Sequence, residues 1–263
     1  MPEILEVEVY RRAAEPVVGR VVADVSAPDP WFVKGGAGPG DLEGALVGAR
    51  VVGLRRIGKL LLLDLGGSGR NVTLGLRFGM TGRLVVDGRA AIGGLEYGSD
   101  RDLPEWRRFG IGFGGGGALW ISDPRRLGAV EVNPDESRLG PDALSVRPAA
   151  LRGALAGSSA PLKARLMDQS RLAGLGNLLV DEILWRASLD PARPACSLAP
   201  AELRRLARQL RTVLVELGER GGSHTGDLME ARPAGGVCPR DGEPLVRRTV
   251  GGRTTVSCPR HQR

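Results

Sequence analysis

The C-terminal part of the chain carries the feature that most restricts its fold, two ligand pairs with the spacing of a zinc hairpin. The four side chains that can bind a metal are spaced Cys238-x2-Asp241-x16-Cys258-x2-His261. Between the pairs the sequence alternates like two strands that turn at Gly251-Gly252. Thiolate, carboxylate and imidazole groups all bind Zn2+. The spacing predicts one structural zinc ion; three protein ligands with water, or a metal-free hairpin with Asp241 in solvent, remain open.

The remaining cysteine usage and the lack of a long apolar run indicate a cytoplasmic protein. In a reducing compartment Cys238 and Cys258 are better metal ligands than a disulfide, and Cys196, the third cysteine, is interpreted as an incidental thiol. The longest apolar run, residues 60–63, ends at Asp64 and is far shorter than the roughly 20 residues that span a bilayer. The N-terminus is acidic where a secretory signal would be basic.

The charge balance is compatible with a polyanionic partner. The 263 residues include 37 Lys plus Arg against 30 Asp plus Glu, which gives a net charge of +7 and a pI of about 10.1. A solvated, arginine-rich surface would give the same count, so the charge permits nucleic-acid binding without requiring it. The length allows two domains and a small appendage.

Hydrophobic periodicity divides the chain into a strand-rich and a helix-rich part. Residues 2–15 suit a helix with Pro2 at its first position, ended by Pro16. Short apolar runs separated by glycine then favour antiparallel hairpins in a β-sandwich or flattened barrel. The predicted strands are 17–25, 50–56, 59–65, 72–78, 82–86, 108–113 and 118–122, and the predicted helices are 149–155, 161–169, 178–188 and 201–219.

Two stretches of the helix-rich part offer groups to a phosphate. Residues 166–188 read as two helices joined by a glycine-rich turn, with Asn177 as the N-cap of the second helix; on spacing alone an ordinary helical hairpin capped by Asn is the favoured interpretation. In the last helix the arginines lie mostly off the apolar face; they are interpreted as solvated charges, with a DNA-facing role as the alternative. These arginines are Arg204, Arg205, Arg208 and Arg211. The segment 226–236 is polar and expected to be mobile.

The first residues could carry covalent chemistry. If Met1 is removed, Pro2 presents a secondary amine at a helix N-terminus, whose positive dipole disfavours its protonation. Such an amine can attack C1′ of a deoxyribose and form an iminium with the opened sugar, while Glu3 protonates the ring oxygen or moves the departing proton. The alternative is an ordinary Pro-Glu helix start.

Together these stretches resemble the bacterial formamidopyrimidine-DNA glycosylase and endonuclease VIII family of base-excision repair enzymes. The resemblance covers essentially the whole chain, and its most specific parts are the DQ-AGLGN-DE block and the terminal hairpin. The matching segments are PEILEVE, RRIGKLLLL, RFGMTGRL, DPRRLGAV, DQSRLAGLGNLLVDEILWRASLDP and GGRTTVSCPRHQR.

The resemblance implies a role for each matching residue. Pro2 matches the nucleophile, Glu3 the acid/base, and Glu6 a second carboxylate near the opened sugar. Lys59 matches a phosphate-binding lysine, which the residue pattern alone would give as a surface lysine. Asn177 and Arg253 match the two phosphate clasps; Met80, otherwise read as core, and Arg125, with Arg126 beside it, match residues that fill the gap left by a flipped nucleotide.

Several positions depart from the family pattern. Leu127 stands where the third gap-filling residue is usually aromatic, which implies a weaker or differently shaped wedge. Leu5 replaces a proline, and the zinc ligands are Cys-Asp-Cys-His instead of four cysteines. Ten residues separate Asp227 from Cys238, where many purine-specific members carry a longer loop over the flipped base. The lesion is therefore left open.

The resemblance implies an α+β fold: an N-terminal β-sandwich headed by a catalytic helix, then a helical domain with a helix-two-turn-helix motif and a zinc-finger β-hairpin. We expect domains at 1–132, 133–225 and 226–263. The expected protein is a monomeric DNA glycosylase with AP lyase activity that binds damaged double-stranded DNA in the nucleoid. The alternatives are a catalytically silent damaged-DNA-binding protein and an RNA- or ribosome-associated protein.

Overall fold

The computed structural model describes residues 2–67, 70–95, 98–99, 101 and 103–263, and these form two compact units. The first unit comprises Pro2 and residues 6–136, and the second comprises residues 3–5 and 137–263. The first turn of the N-terminal helix α1 (Ile4–Ala13) therefore packs with the C-terminal unit, while the rest of that helix packs with the N-terminal one. The three-domain division given above stays a prediction.

The first unit is a β-sandwich. One sheet has the strand order β1-β8-β9-β6-β7 and the other β2-β10-β5-β4-β3. Its elements after α1 are β1 (Val22–Ser26), β2 (Val33–Lys34), α2 (Pro39–Leu46), β3 (Arg50–Ile57), β4 (Leu60–Gly67), β5 (Arg70–Arg77), β6 (Arg83–Val86), β7 (Arg89–Ala90), β8 (Arg107–Phe113), β9 (Ala118–Ser122) and β10 (Ala129–Val132).

The core of the sandwich lies between the inner faces of the two sheets. Leu61, Leu63 and Leu74 contribute from one sheet, and Phe109 and Ile111 from the other; all five are buried. Burying apolar area of this kind stabilises a fold by roughly 25 cal/mol per Å2. Neighbouring described strands pair antiparallel except β2 and β10, which pair parallel, so the expectation of hairpins is confirmed for most of the unit.

The second unit is helical and ends in a hairpin. Its core is formed by apolar residues of the helices and includes Ile4 and Leu5 from the start of the chain. The long helix α6 buries Leu206, Leu210 and Leu217 on one face, as its periodicity predicts. The elements are α3 (Pro148–Leu155), α4 (Leu162–Met167), α5 (Asn177–Ala187), α6 (Pro200–Arg220), β11 (Val246–Val250) and β12 (Arg253–Ser257).

Three local predictions are wrong. The N-terminal helix begins at Ile4 instead of Pro2 and ends at Ala13, and Pro16 lies in a separate 3-10 turn. The first strand begins only at Val22. The N-cap of α5 is Gly176, with Asn177 as the first helical residue.

One helix was not predicted. Helix α2 has the sequence PGDLEGAL, whose proline and glycines resemble a loop. The helix forms because Asp41 accepts a hydrogen bond from the Gly38 N–H at 2.7 Å and because Leu42 and Leu46, one turn apart, are buried. The two-residue strands β2 and β7 and strand β10 were also missed, since they are too short for an alternating pattern.

The α+β fold class is confirmed: the sheets precede the helices, and the chain ends in a hairpin. Across the part of the chain that the structure describes, no helix combines the length and the apolar character needed to cross a membrane.

Candidate active site

The Glu3 carboxylate lies at the N-terminus of α5. It is fully buried and accepts hydrogen bonds from the backbone N–H groups of Gly176 at 2.6 Å, Leu178 at 2.9 Å and Leu179 at 3.4 Å. A helix N-terminus carries unpaired N–H donors and a partial positive charge, so it stabilises an anion. Glu3 is thus held in one position as a carboxylate and as the anionic cap of α5.

Two glycines of the AGLGN turn make this approach possible. A Cβ on Gly176 would lie 2.3 Å from Cδ of Glu3, and a Cβ on Gly174 would lie 2.3 Å from Cδ1 of Ile4. Gly174 also has a φ of +116°, which side chains with a Cβ rarely adopt. The backbone carbonyl of Gly174 accepts a hydrogen bond from the Ile4 N–H at 3.0 Å. The glycines therefore fit the helical turn against the first residues of the chain.

Pro2 directly precedes Glu3, and Glu6 follows it three residues later; both are buried. Because α1 begins at Ile4, the nitrogen of Pro2 precedes the helix instead of opening it, and the prediction of Pro2 as the first helical residue is wrong. Burial and the nearby Glu6 charge raise the pKa of Tyr10, which stays a neutral donor to the Gly82 carbonyl at 3.0 Å. Met1, whose removal frees the Pro2 nitrogen, lies outside the described residues.

Lys59 lies in a two-residue turn between β3 and β4. Ile57 and Leu60 pair across this turn, and Gly58 has a φ of +57°, as a tight hairpin requires. Lys59 is half-buried. The turn is thus a rigid support for a lysine side chain, and the role of Lys59 remains a prediction.

Buried Asp123 joins the loops that carry Met80 and Arg125. Its carboxylate accepts hydrogen bonds from the Thr81 hydroxyl at 2.6 Å and from the backbone N–H groups of Arg125, Leu127 and Gly128. The three N–H bonds measure 3.2, 2.9 and 2.8 Å. The positions predicted to fill a DNA gap therefore form one surface, with Met80 half-buried and Arg125 and Leu127 exposed.

Arg126 anchors the same loop from the other side. Its guanidinium donates two hydrogen bonds to the carboxylate of Asp29, at 2.6 and 2.7 Å. These bonds hold the pKa of Asp29 below its usual range. Arg126 has a positive φ of 56°, and the ion pair helps to keep this uncommon backbone conformation. Arg126 is thus engaged in supporting the loop.

Asn177 is the first residue of α5, next to the N–H groups that hold Glu3. Its Oδ1 is buried and has no hydrogen-bond partner among the described residues. Because Oδ1 can only accept, a phosphate oxygen at this helix start would bind the amide N–H groups of Asn177 and the neighbouring backbone N–H groups.

Arg253 lies at the tip of the β11/β12 hairpin. The turn at Gly251 and Gly252 has φ values of 57° and 73°, which confirms the predicted hairpin. The side chain of Arg253 is exposed, and no hydrogen bond or ion pair of its guanidinium occurs with the described residues. It is therefore available to an external anion.

A buried ion pair attaches this hairpin to α4 and α5. Lys163 donates to Asp181 at 2.7 Å and to the Thr254 carbonyl at 3.0 Å, and Arg232 donates to Asp181 at 2.7 Å. Burial lowers the pKa of Lys163, and the Asp181 carboxylate opposes that shift. Because Asp181 lies one turn after Asn177 and Thr254 follows Arg253, the network fixes the two predicted phosphate clasps within one unit.

Cys238, Asp241, Cys258 and His261 form a cluster that fits a metal ion. Their ligand atoms all lie within 4.8 Å of one another. Sγ of Cys238 is 3.8 Å from Nδ1 of His261, and Sγ of Cys258 is 3.5 Å from either carboxylate oxygen of Asp241. Ligand atoms around a tetrahedral zinc ion are separated by about 3.3–3.8 Å. Nδ1 of His261 lies 2.7 Å from Oδ2 of Asp241, and this hydrogen bond holds the pKa of Asp241 below its usual range.

Trp185 of α5 orients two of these ligands. Its indole N–H donates to Sγ of Cys238 at 3.3 Å, and its carbonyl lies 3.3 Å from Nε2 of His261. A metal ion bound by Nδ1 would leave the proton on Nε2, next to the Trp185 carbonyl, which is the arrangement common at zinc sites. The donor set and its orientation therefore fit zinc.

The segment expected to be mobile, residues 226–236, is attached to α5. The carboxylate of Glu182 accepts from the N–H groups of Asp227 at 3.2 Å and Leu228 at 2.9 Å, and Arg232 binds Asp181. The segment thus has anchors near both ends.

Comparison with known proteins agrees with this arrangement. Residues 1–130 match the formamidopyrimidine-DNA glycosylase N-terminal domain, and residues 139–227 match the formamidopyrimidine-DNA glycosylase H2TH domain. The chain belongs to the formamidopyrimidine-DNA glycosylase family. A formamidopyrimidine-DNA glycosylase of Thermus thermophilus is 38% identical over 98% of this chain and 97% of its own length, and that of Paracoccus denitrificans is 36% identical over 98% and 99%.

Solved structures of the family share the fold. The Lactococcus lactis Fpg in complex with DNA containing N7-benzyl-Fapy-dG superimposes with a TM-score of 0.82 at 26% identity, covering 100% of both chains. The same enzyme with DNA containing an abasic site gives a TM-score of 0.81 at 25% identity, covering 99% of both chains. The likeness therefore extends over both units of this glycosylase.

The residues that support the site were missed by sequence reasoning. Asp123 was quoted only as part of a motif, and Asp29 and Lys163 were given no role. Their partners lie far away in sequence, so no local pattern points to them. The one clue in the sequence was that Asp123, the first residue of DPRRLGAV, directly follows a predicted apolar strand and could therefore be buried.

Proposed function

We propose that this member of the family is a DNA glycosylase and AP lyase of base-excision repair that works through a Schiff base at Pro2. Family membership over the whole chain supports the activity. The observation that carries the mechanism is the carboxylate of Glu3, buried beside Pro2 and fixed by three backbone N–H groups at the start of α5. The three N–H donors offset the cost of burying this charge, and a fixed buried carboxylate next to a candidate nucleophile is typical of a catalytic site.

The proposed reaction begins at the nitrogen of Pro2. After removal of Met1, its lone pair attacks C1′ of the damaged nucleotide, the bond from C1′ to the base breaks, and the sugar ring opens to an iminium ion. Loss of a proton from C2′ then expels the 3′ phosphate and nicks the strand. The nucleotide must leave the helical stack first, because the amine cannot reach C1′ inside it.

Glu3 and Glu6 would serve the proton transfers. Three N–H donors favour the ionised form of Glu3, so it would accept the proton that the Pro2 nitrogen releases and then give it to the ring oxygen as the bond from C1′ to that oxygen breaks. Glu6 is buried on the same helix and would act near the opened sugar. A positioned acid or base contributes typically about 10^2 to 10^4-fold to a rate.

DNA would be held mainly through its phosphates. Lys59 of the first unit and Asn177 and Arg253 of the second are the proposed phosphate ligands, while Met80 and Arg125 would occupy the gap left by the extruded nucleotide. The position of Asn177 at the start of α5 and the unpaired guanidinium of Arg253 support this assignment within the described residues. The partner would be damaged double-stranded DNA, bound by a monomer in the cytoplasm at the nucleoid.

One zinc ion would be held by the cluster at Cys238, Asp241, Cys258 and His261. Bound there, it supplies structural stability to the hairpin and no step of the reaction. The hairpin in turn presents Arg253. The lesion that the enzyme prefers is left to experiment.

Trapping of the covalent intermediate tests the mechanism. The purified protein is incubated with an abasic-site duplex and sodium borohydride, and the adduct is mapped by peptide mass spectrometry. The expected product joins the deoxyribose to the nitrogen of residue 2, and the strand is nicked when borohydride is omitted. A duplex with a tetrahydrofuran site, which has no aldehyde, is the matched control and should give no adduct.

Three outcomes would count against the proposal. An adduct mapped to a lysine would remove Pro2 as the nucleophile. Full nicking by protein that retains Met1 would do the same. Equal DNA binding by wild type and Pro2→Gly, with no nicking by either, would instead favour a silent DNA-binding protein.

A further inference from the structure

Trp31 is the most exposed tryptophan of the chain. Of the four tryptophans, Trp106 and Trp120 are half-buried and Trp185 is buried, whereas Trp31 has 65% of its surface exposed. It lies in the 3-10 turn Pro30–Phe32 immediately before β2. An indole with this much of its surface in water offers an exposed apolar and aromatic face.

The turn with Trp31 lies beside the loop with Arg125 and Leu127. Strands β2 and β10, which follow the turn and the loop, pair in parallel with Val33 opposite Val130. The turn and the loop therefore both lie at the end of the sheet where β2 and β10 begin.

Direct contacts join the turn to the loop. Asp29 accepts a hydrogen bond from the Trp31 N–H at 3.2 Å and two from Arg126. Phe32 lies so close to Gly128 that a Cβ there would be 2.7 Å from its ring. The indole is thus mounted on the structure that carries the gap-filling positions.

The surroundings of Trp31 have the composition of a nucleic-acid contact. Nζ of Lys34 lies 3.8 Å from the centre of the indole ring, and Arg125 is exposed on the neighbouring loop. Leu127, also on that loop, has 51% of its surface exposed and offers apolar area without an aromatic ring. Aromatic faces next to cations bind bases by stacking and phosphates by charge.

We propose that Trp31 stacks on a base beside the gap left by the extruded nucleotide and supplies the aromatic contact that Leu127 cannot make. The inference rests on the proposed DNA glycosylase function. Extrusion removes the stacking partner of the flanking bases and of the orphaned opposite base, so an aromatic side chain at the gap recovers part of the lost stacking. Trp31 would then discriminate gapped from intact DNA without taking part in the chemistry.

Binding to a tetrahydrofuran-site duplex tests this role, because that duplex is not cleaved through a Schiff base. The duplex carries 2-aminopurine opposite the site, and affinity and 2-aminopurine fluorescence are measured for wild type, Trp31→Ala and Trp31→Phe. We expect Trp31→Ala to weaken this binding by roughly 5- to 150-fold and to reduce the fluorescence change, while Trp31→Phe keeps most of both. Binding to an intact duplex of the same sequence should stay unchanged.

Val52→Ala is the matched control. Val52 lies on β3 of the same unit with 59% of its surface exposed, so its truncation removes apolar surface away from the proposed contact. It should bind both duplexes like wild type. Circular dichroism of the variants confirms that each is folded.

Two results would overturn the inference while leaving the proposed function in place. One is wild-type affinity and fluorescence in Trp31→Ala. The other is an equal loss on intact and tetrahydrofuran duplexes, which would make Trp31 a general DNA contact. Failure of wild type itself to bind or cut damaged DNA would remove the proposed function and, with it, the inference.

Discussion

The two oxygen atoms of the Glu3 carboxylate serve both the helix α5 and the proposed chemistry. The carboxylate replaces a side-chain N-cap of α5, although it comes from the other end of the chain. The same three bonds hold a proposed catalytic group in place and complete a helix terminus. Stability and activity are therefore coupled at this residue.

Substitution of Gly176 should displace the carboxylate of Glu3. In Gly176→Ala the new Cβ would overlap Cδ of Glu3, so the carboxylate must move and the nicking rate should fall by roughly 100-fold. Single-turnover nicking of an abasic duplex measures the effect.

Gly153→Ala is the control for Gly176→Ala. Gly153 is exposed on α3 with no atom within 4 Å of the new Cβ, so alanine should leave the nicking rate unchanged and raise the unfolding free energy by about 0.5–1 kcal/mol. Equal nicking rates for the two variants would show that the position of Glu3 is not critical.

The ion pair between Asp29 and Arg126 should make stability depend on pH. The folded pKa of Asp29 is lowered, so its contribution is present above the unfolded pKa of about 3.9 and is lost as the pH falls through the folded value. Because Arg126 is half in solvent, Asp29→Asn should cost only about 1 kcal/mol at pH 7.

The measurement is chemical denaturation of wild type and Asp29→Asn between pH 7 and the acid range. The difference between them should shrink as the pH falls below about 4. Glu219→Gln, which changes an exposed carboxylate on α6, should show little difference at any pH. A difference for Asp29→Asn that is independent of pH would mean that packing, and not charge, is the cause.

At the scale of elements, α5 connects both parts of the second unit. Its first turn binds Glu3, Asp181 in its second turn binds Lys163 and Arg232, and Trp185 near its end contacts the metal cluster. The helix is buried along most of its length for this reason. Damage to the candidate metal site should therefore reach the proposed DNA-binding residues of the second unit through α5.

Trp185→Phe should weaken metal binding without removing a ligand. The variant keeps an aromatic ring but loses the N–H that donates to Cys238, and loss of such an outer contact costs typically about 10- to 100-fold in metal affinity. Competition with a chromophoric chelator measures the zinc affinity. Trp106→Phe, in the other unit, should retain the wild-type value, and equal affinities for both variants would contradict the assignment of Trp185.

The sequence was a good guide to elements with a strong local pattern. Helix α6 and the hairpin at Gly251 and Gly252 were predicted because apolar periodicity and turn chemistry are local. The four candidate metal ligands were also placed together from spacing alone, and their side chains do form one cluster. All four belong to one hairpin, so their relative positions follow from local structure.

What the sequence could not give is set by long-range contacts. Gly176, and not Asn177, caps α5 because Glu3 supplies the acceptor from 173 positions away. The parallel pair β2/β10, which brings the turn before β2 beside the loop before β10, has strands too short for a pattern. The pairings of Asp123 and Asp29 are likewise tertiary.

At the scale of the whole molecule, affinity for DNA should depend on salt. A protein that neutralises phosphates releases counterions, so the logarithm of the binding constant falls linearly with the logarithm of salt concentration. The net charge of +7 and the exposed Arg253 favour such binding. Charged and neutral phosphate ligands should therefore contribute differently to the salt dependence of binding.

Arg253→Ala and Asn177→Ala form a matched pair. Removing the guanidinium should lower affinity and reduce the salt slope by about 1, whereas removing the neutral amide should lower affinity at an unchanged slope. Titrations at several salt concentrations measure both. An unchanged slope in Arg253→Ala would mean that Arg253 does not contact a phosphate in the complex.

Asp123 holds the backbone, and not the side chains, of the residues at the tip of the wedge. Its bonds to residues 125, 127 and 128 are all to main-chain N–H groups. These hydrogen bonds do not depend on the side chain at position 127. That side chain can therefore change during evolution while the backbone of the loop stays in place. A lineage that lost an aromatic there could recruit one from an adjoining turn without rebuilding the loop.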